Sequence, residues 1–166
     1  NAANHVALSP VSFLERSAGI YPDHLAVVHG ARRYNWRDTY TRCRQLASAL
    51  VKAGVRKNDT VAVMLSNTPE MYEAHSGVPM NAINTRLDAE TVAFILNHGE
   101  AKVLITDREF SPTVRAAIHG VERPLLIIDV CDSEYLGEGE RVGEHEYEAF
   151  IATGDGQFDW QLPGDE

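Results

Sequence analysis

The sequence predicts a three-layer α/β fold: a mostly parallel sheet flanked by helices, with a small antiparallel hairpin. Observations in the middle of the chain lead to this class. Apolar runs rich in β-branched residues, at 60–67 and 102–107, are typical of strands buried on both faces. Two segments with helical spacing lie between them. Strand, helix, helix, strand is the order expected of a parallel α/β sheet.

The two central helices begin at capping residues. Thr68-Pro69-Glu70 combines a capping hydroxyl, a proline at the first helical position and an acid favoured by the helix dipole. Asp88 opens the second helix, whose apolar residues between 91 and 96 recur at helical spacing, and Gly99 ends it.

The N-terminal part predicts a helix, a hairpin and a longer helix. Ser9-Pro10 opens the first helix, with an expected inward face of Val11, Phe13, Leu14 and Ala18. The runs at 25–29 and 32–36 are too close together to be parallel neighbours, so they predict the hairpin. The longer amphipathic helix presents one apolar face, formed by Tyr40, Cys43, Leu46, Ala47, Leu50 and Val51.

The C-terminal part predicts a helix at 109–120, a buried strand at 124–129 and a short helix at 144–151. Residues 132–166 hold eleven acids against Arg141 alone, whereas residues 1–131 are near neutral. Residues 153–166 are expected to be extended and linker-like. We therefore divide the chain into an α/β core at 1–131 and an acidic loop, short helix and linker at 132–166.

Composition excludes several classes of function. The chain of 166 residues, 44% apolar, suits one domain. Nothing approaches the roughly 20 apolar residues that span a bilayer, and no basic stripe supports nucleic-acid binding. Cys43 and Cys131 lack metal-ligand spacing, and the seven histidines show none either. A reduced cytoplasmic protein is the expectation.

Three stretches resemble the N-terminal part of AMP-forming acyl-CoA synthetases, in the adenylate-forming superfamily. They are the aromatic strand at 32–36 before a long helix, AGVRKNDTVAVMLSNTPEM at 53–71, and AETVAFILNHGEAKVLITD at 89–107. Each is weak alone, and their order and spacing together are specific. The resemblance covers about residues 9 to 166 and is strongest to fatty-acyl and short thioether-acyl CoA ligases. It implies the N-terminal subdomain of a larger enzyme.

For that parent enzyme the resemblance implies a two-step ligation. ATP and a small carboxylic acid give an acyl-adenylate and pyrophosphate, with Mg²⁺ assisting, and CoA then displaces AMP to give acyl-CoA. The family's phosphate loop and catalytic lysine would lie beyond Glu166. We therefore assign no catalytic, cofactor-binding or metal residue here, and expect this segment alone to be inactive and to bind none of these cofactors. A homodimer is possible.

The pattern fails between Met80 and Leu87, where only Ile83 is apolar enough for the strand that two successive helices require. Enzymes of this family usually carry a further small-residue and apolar run between GVPM and NAINTRL. Its absence predicts residues missing between Met80 and Asn81. A real deletion is the alternative, and it would remove a central strand and expose its neighbours.

Four residues are candidates for a pocket or interface. His75 follows the central strand on a helix and could line an acyl pocket, although a surface or packing histidine is the simpler reading. Asn84, Thr85 and Arg86 precede a helix N-terminus and could line a ligand or an inter-subunit surface, or form a plain capping turn.

Two other classes of protein remain open. A stand-alone, non-catalytic α/β interaction or regulatory module of the receiver-like kind would use Asp129 at a strand end, but the acidic pair and lysine of such modules are missing. A Rossmann-type nucleotide-binding domain would need a glycine-rich turn between strand and helix, which the sequence lacks.

Overall fold

The predicted three-layer α/β fold is confirmed by the computed structural model, which describes residues 10–78 and 80–160. The elements in chain order are α1 (Pro10–Ile20), β1 (Leu25–His29), β2 (Arg32–Asn35), α2 (Trp36–Lys52), β3 (Thr60–Met64), α3 (Pro69–Gly77), β4 (Met80–Ala82), α4 (Ala89–His98), β5 (Ala101–Asp107), α5 (Ser111–Ile118), β6 (Leu126–Val130), β7 (His145–Glu146) and α6 (Tyr147–Ile151). Strands β4-β3-β5-β6-β7 form one parallel sheet, and β1 and β2 form an antiparallel pair.

The side-chain alternation of the central strands creates two core layers. Strand β3 directs Val61 and Val63 to one face and Ala62 and Met64 to the other. The first face packs against α2, α3 and α6, and the second against α4 and α5. Because both faces are covered by helices, these strands are apolar at nearly every position.

Helix α2 spans the first layer and follows its sequence signals. The Asn35 side chain accepts a hydrogen bond from the Asp38 backbone N–H at 2.7 Å, which caps the helix start. Cys43, Leu46 and Leu50 are fully buried, as expected. Val51, in the last turn, is exposed, so the expectation that it lies on the inward face was wrong.

The hairpin lies beside α2 and α3 as a separate two-stranded sheet. Gly30 in its turn has φ +53°, a conformation that favours glycine. In α1, Leu14 is buried but Phe13 is 54% exposed, so the expectation that Phe13 faces inward was wrong. Phe13 instead lines a surface groove together with residues of β1 and α3.

The expectation that 80–87 has no room for a strand was also wrong. Met80–Ala82 forms β4 at the edge of the sheet, paired in parallel with Val61–Val63 of β3. Ile83 then buries its side chain under α4. Residues missing between Met80 and Asn81 remain a prediction.

The C-terminal part is joined to the core more closely than a linker would be. The predicted helix at 144–151 begins with two strand residues, β7, and becomes α6, whose Tyr147, Phe150 and Ile151 are buried. Residues 153–160 pack along α2: the Asp155 N–H donates to Ser48 Oγ at 3.0 Å, and Trp160 contacts the Tyr40 ring edge-to-face. The role of 132–166 as loop, short helix and linker stays a prediction, and 161–166 lies outside the described residues.

Candidate functional site at the carboxyl edge of the sheet

The carboxyl ends of β3, β5 and β6 meet at one edge of the sheet, where parallel α/β proteins commonly bind ligands. Three acids follow these strands: Glu70 after β3, Asp107 at the end of β5, and Asp132 after β6. All three are buried. Their hydrogen-bond partners decide what this edge can do.

Asp132 makes most of the side-chain contacts described at this edge. Its two carboxylate oxygens lie 2.8 and 2.9 Å from His29 Nε2 in the hairpin, and Arg32 Nη2 is 3.7 Å away. Its carbonyl oxygen accepts from Arg108 Nη2 at 3.4 Å. Burial works against the charge on Asp132, but hydrogen bonds from the Glu134 N–H and His29 hold its pKa below the usual value. Asp132 thus fastens the hairpin to the main sheet.

Glu70 and Asp107 have structural partners as well. Glu70 accepts a two-pronged hydrogen bond from the Arg32 guanidinium. Asp107 accepts from the backbone N–H groups of Glu109 at 2.8 Å and Asp132 at 3.1 Å. Burial raises the Asp107 pKa above its ordinary value, although both N–H groups oppose this. Through these contacts Asp107 caps the turn that follows β5.

Asp129, the other strand-end acid, has the same kind of role. It is fully buried, and its two oxygens accept from the N–H groups of Val142 at 2.9 Å and Gly143 at 2.7 Å. Such a carboxylate is saturated by backbone donors. Asp129 therefore holds the loop before β7 and is not presented to solvent, as a receiver-like module would need.

This edge does not fit a nucleotide phosphate. Phosphates require free cationic or N–H donors, whereas Arg32 donates to Glu70 and Arg108 Nη2 donates to the carbonyl oxygens of Asp132 and Tyr135. The neighbouring buried acids add negative charge. Within 10–78 and 80–160, no group of three His, Cys, Asp or Glu residues is placed to hold a metal ion.

A second buried network joins α2, α3 and α6. Arg42 Nε lies 2.6 Å from Glu73 Oε1, and Arg42 Nη2 lies 2.6 Å from Glu148 Oε1. The Tyr147 hydroxyl donates to Glu73 Oε2 at 2.8 Å. Burial raises the pKa of both Glu73 and Tyr147. We call Arg42, Glu73, Tyr147 and Glu148 the α2–α6 network.

His75 lies on the exposed side of α3, away from both networks. Its Nδ1 donates to the Met71 carbonyl oxygen at 2.9 Å. It borders a groove between α1, β1 and α3, lined by Phe13, Ala26, Val27, Val28, His29, Trp36, Asn67, Thr68, Pro69, Met71, Tyr72, His75 and Ser76. We call this the hairpin groove. An acyl-pocket role for His75 stays a prediction.

Asn84, Thr85 and Arg86 form a turn that leads into α4. The Leu87 N–H donates to the Asn84 carbonyl oxygen at 3.3 Å, and the Arg86 N–H donates to Asn84 Oδ1 at 3.0 Å. Asp88 then caps α4 by accepting from the Thr91 N–H at 2.8 Å. In the described part of the chain this turn does not line the hairpin groove, so the four candidates do not meet. A ligand or interface role for the turn stays a prediction.

Sequence reasoning missed the residues that hold the two networks. Asp132 was assigned only to an acidic loop, although His29 and Arg32 are its partners. The sequence did contain one signal for these networks: Glu70 and Glu73 are three residues apart on the helix that follows the central strand, and therefore lie on the same face. Acids on the buried face of a helix need cationic partners.

Comparison with known proteins identifies the family. The family described as AMP-binding enzyme matches residues 14–151. The chain belongs to this family. It is 44% identical over 180 residues to an acetate/butyrate–CoA ligase of Arabidopsis thaliana described as peroxisomal, covering 99% of this chain and 32% of that protein. It is 42% identical over 182 residues to an acetate–CoA ligase of Humulus lupulus, covering 100% of this chain and 32% of that protein.

Solved structures share the fold of this AMP-binding enzyme segment. An anthranilate–CoA ligase in complex with anthranoyl-AMP matches with a TM-score of 0.81 at 22% identity, covering 95% of this chain and 30% of that one. A benzoate–CoA ligase from Burkholderia xenovorans matches with a TM-score of 0.74 at 18% identity, over 90% and 29% of the two chains. At these identities the likeness shows the fold alone.

The chain spans about a third of the length of the curated relatives it matches. The aligned lengths of 180 and 182 exceed the 166 residues of this chain, so both alignments place gaps in it. Among the helices of the described residues, none is both long and apolar enough to cross a membrane.

Proposed function

We propose that this chain is the N-terminal subdomain of an ATP-dependent, AMP-forming acyl-CoA ligase. The family match over residues 14–151 carries the proposal. The parent enzyme joins a small carboxylic acid to CoA, with ATP and Mg²⁺ as further requirements. The names of the relatives, which include acetate, butyrate and benzoate ligases, support a small acid as the substrate.

The subdomain contributes scaffold rather than chemistry. Its carboxyl edge is closed by internal pairs such as Arg32–Glu70 and His29–Asp132. Adenylation requires donors that stabilise the charge developing on a phosphoryl group, and the Nη groups of Arg32 and Arg108 already donate to acceptors within the chain. The 166-residue chain alone therefore makes no acyl-CoA, and the nucleotide, Mg²⁺ and CoA bind to other parts of the parent enzyme.

The test compares two proteins from the same gene: the full-length product and the 166-residue chain. Pyrophosphate release is measured with ATP, Mg²⁺, CoA and a panel of acetate, butyrate and benzoate. We expect acid-dependent release by the full-length protein alone, and no saturable ATP binding by the 166-residue chain in calorimetry. A full-length protein inactive on every acid would overturn the ligase proposal, whereas tight ATP binding by the chain would overturn its scaffold role.

Two further proposals concern the parent enzyme in the cell. We place it in the cytoplasm, although relatives carry the word peroxisomal in their names. A fluorescent fusion of the full-length protein that accumulated in peroxisomes would contradict this. We also propose a homodimer, which light scattering of the full-length protein tests directly, since a mass equal to one chain would exclude it.

A further inference from the structure

Residues 153–160 follow α2 along most of its length, in the direction opposite to that of the helix. We call them the α2 strap. Lys52 Nζ, in the last turn of α2, donates to the Thr153 carbonyl oxygen at 2.6 Å. Nearer the helix start, Arg44 Nε donates to the Phe158 carbonyl oxygen at 2.7 Å. In strap order, the contacting pairs are Thr153–Lys52, Asp155–Ser48, Phe158–Arg44 and Trp160–Tyr40.

The two ends of α2 lie at opposite edges of the sheet. Residues 53 and 54, directly after α2, line one cavity with the first residues of β3, β5 and β6, so this end lies at the amino edge. The start of α2 directly follows the hairpin, whose His29 contacts Asp132 at the carboxyl edge. Positions 40 to 52 span about 18 Å of helix, slightly more than the roughly 17 Å of the five residues of β3. The strap therefore carries the chain from the amino edge back to the carboxyl edge.

Close contacts with α2 fix the path of the strap. A Cβ on Gly154 would lie 2.0 Å from the Gln45 carbonyl oxygen, and a Cβ on Gly156 would lie 2.7 Å from Thr41 Cγ2. The strap backbone thus lies against the helix with no room for a side chain at either place. Because the hydrogen bonds from Lys52 and Arg44 also go to carbonyl oxygens of the strap, α2 holds its main chain.

Aromatic side chains anchor the chain before and after the strap. Tyr147 of α6 is fully buried within the α2–α6 network. At the far end, the Trp160 ring lies edge-on to Tyr40 with ring centroids 5.7 Å apart, and the Arg44 guanidinium lies 5.2 Å from the centre of the same Tyr40 ring. Arg44 therefore holds this end twice, through the Tyr40 ring and through the Phe158 carbonyl oxygen.

A segment that only connected two parts of a protein would not need these contacts. Ordering each residue costs conformational entropy, and the contacts with α2 offset that cost along the strap. At the carboxyl edge itself, the Nη groups of Arg32 and Arg108 donate to acceptors within the chain. Under the proposed function, the groups that bind ATP and the acid therefore belong to other parts of the parent enzyme. Their position relative to this edge depends on where the chain leaves the subdomain.

We propose that the α2 strap is a positioning element of the parent ligase, and that Arg44 is the positioning residue that fixes its end at the carboxyl edge. The inference rests on the proposed ligase function. Parallel α/β proteins bind ligands at this edge, so a displaced strap shifts the rest of the enzyme relative to it. Arg44 acts through the course of the strap and not by contact with a substrate.

Acrylamide quenching in the 166-residue chain tests whether α2 holds the strap. Trp36→Phe leaves Trp160 as the single tryptophan. Adding Arg44→Met or Gly154→Ala should raise the quenching constant about twofold, because the half-buried ring becomes free. The matched control is Val92→Ala, at a fully buried residue on the other face of the sheet, which should not change the constant. An unchanged constant in both strap variants would overturn the proposal whether or not the parent enzyme is a ligase.

Steady-state kinetics of the full-length protein test the positioning role. Arg44→Met should lower kcat for acid-dependent pyrophosphate release at least about tenfold, because small displacements of reacting groups are costly. The KM values for ATP and the acid should change less than about threefold, since the substrate contacts themselves are intact. Arg44→Lys keeps a donor for the Phe158 carbonyl oxygen and should recover part of kcat. Val92→Ala should keep the kcat of the unaltered enzyme once rates are scaled to the folded fraction measured by circular dichroism.

The kinetic outcomes separate this inference from the ligase proposal. An active unaltered enzyme whose kcat is unchanged in Arg44→Met would overturn the positioning role alone. Equal losses per folded molecule in Arg44→Met and Val92→Ala would also overturn it, since Arg44 would then contribute stability only. An unaltered enzyme that is inactive on every acid would overturn the ligase function, and the positioning role with it.

Discussion

Replacing Arg42 with methionine removes the cation that pairs with Glu73 inside the α2–α6 network. The Glu73 side chain is only 2% exposed, whereas Glu148 is 48% exposed and can turn to solvent. Breaking a buried ion pair by removing one partner destabilises by about 3–5 kcal/mol. We expect a loss in that range, a large share of the roughly 5–15 kcal/mol typical of a domain.

The matched control removes the whole network. In the triple variant Arg42→Met, Glu73→Leu and Tyr147→Phe, no buried carboxylate or hydroxyl is left without a partner. Replacing a buried ionic group by apolar residues of similar volume is often neutral or stabilising. The triple variant should therefore recover most of the stability lost by Arg42→Met, which would show that the unpaired charge, not lost packing, causes the loss.

The pH dependence of the free energy of unfolding gives an independent test of the role of Glu73. Burial raises the Glu73 pKa above its ordinary value of 4.5, and Arg42 opposes this shift. A carboxyl with a raised folded-state pKa binds its proton more tightly when folded, so the free energy of unfolding falls as pH rises from the unfolded to the folded pKa. Without Arg42 the pKa rises further, and Arg42→Met should lose stability more steeply from about pH 4.5 upward.

Urea unfolding followed by circular dichroism, at pH 5 and pH 7.5, measures both effects. If Arg42→Met lowers the free energy of unfolding by less than about 1 kcal/mol, the range of an exposed ion pair, then the Arg42–Glu73 pair does not act as a buried one. A loss that is the same at both pH values would also refute the reasoning, since Glu73 would then not be a buried titrating group.

Two further predictions concern packing and thiol reactivity. A Cβ on Gly154 would lie 2.0 Å from the Gln45 carbonyl oxygen, so Gly154→Ala should lower the melting temperature. Gly19 in α1 has open space around it, so Gly19→Ala should leave the melting temperature equal or higher. Equal losses in the two variants would contradict the packing of Gly154 on α2. Cys131 is exposed, whereas Cys43 is buried and its burial raises the pKa of the Cys43 thiol. Ellman's reagent should therefore titrate one thiol in the folded chain and two in urea. Two rapidly reacting thiols in the folded chain would show that the interior around α2 is open.

The central strands and helices could be predicted from sequence because their signals are local. The apolar run of β3 and the caps at Asn35 and Asp88 lie within a few residues of the structure they specify. Strands β4 and β7 have no comparable signal. Met80–Ala82 contains a polar residue, His145–Glu146 is entirely polar, and both exist because a neighbouring strand offers an open edge.

The two networks could not be predicted for a different reason. Tyr147 is 74 positions from Glu73, and Asp132 is 103 positions from His29. No local pattern connects such pairs, since only the fold brings them together. A stretch of acids and glycines after Cys131 is typical of a solvated loop, and Asp132 is buried because Arg32 and His29 reach it from the hairpin.

The strand order β4-β3-β5-β6-β7 also bears on how the chain reaches its native state during synthesis. Strand β3 emerges first, β4 is added at one side, and β5, β6 and β7 are added in turn at the other. Each new strand therefore meets an edge that is already present, and none must be inserted between two earlier strands. Domains are synthesised from the N-terminus at about 5–20 residues per second, so this sheet can grow in step with translation. The contact between Tyr147 and Glu73 is then among the last to form.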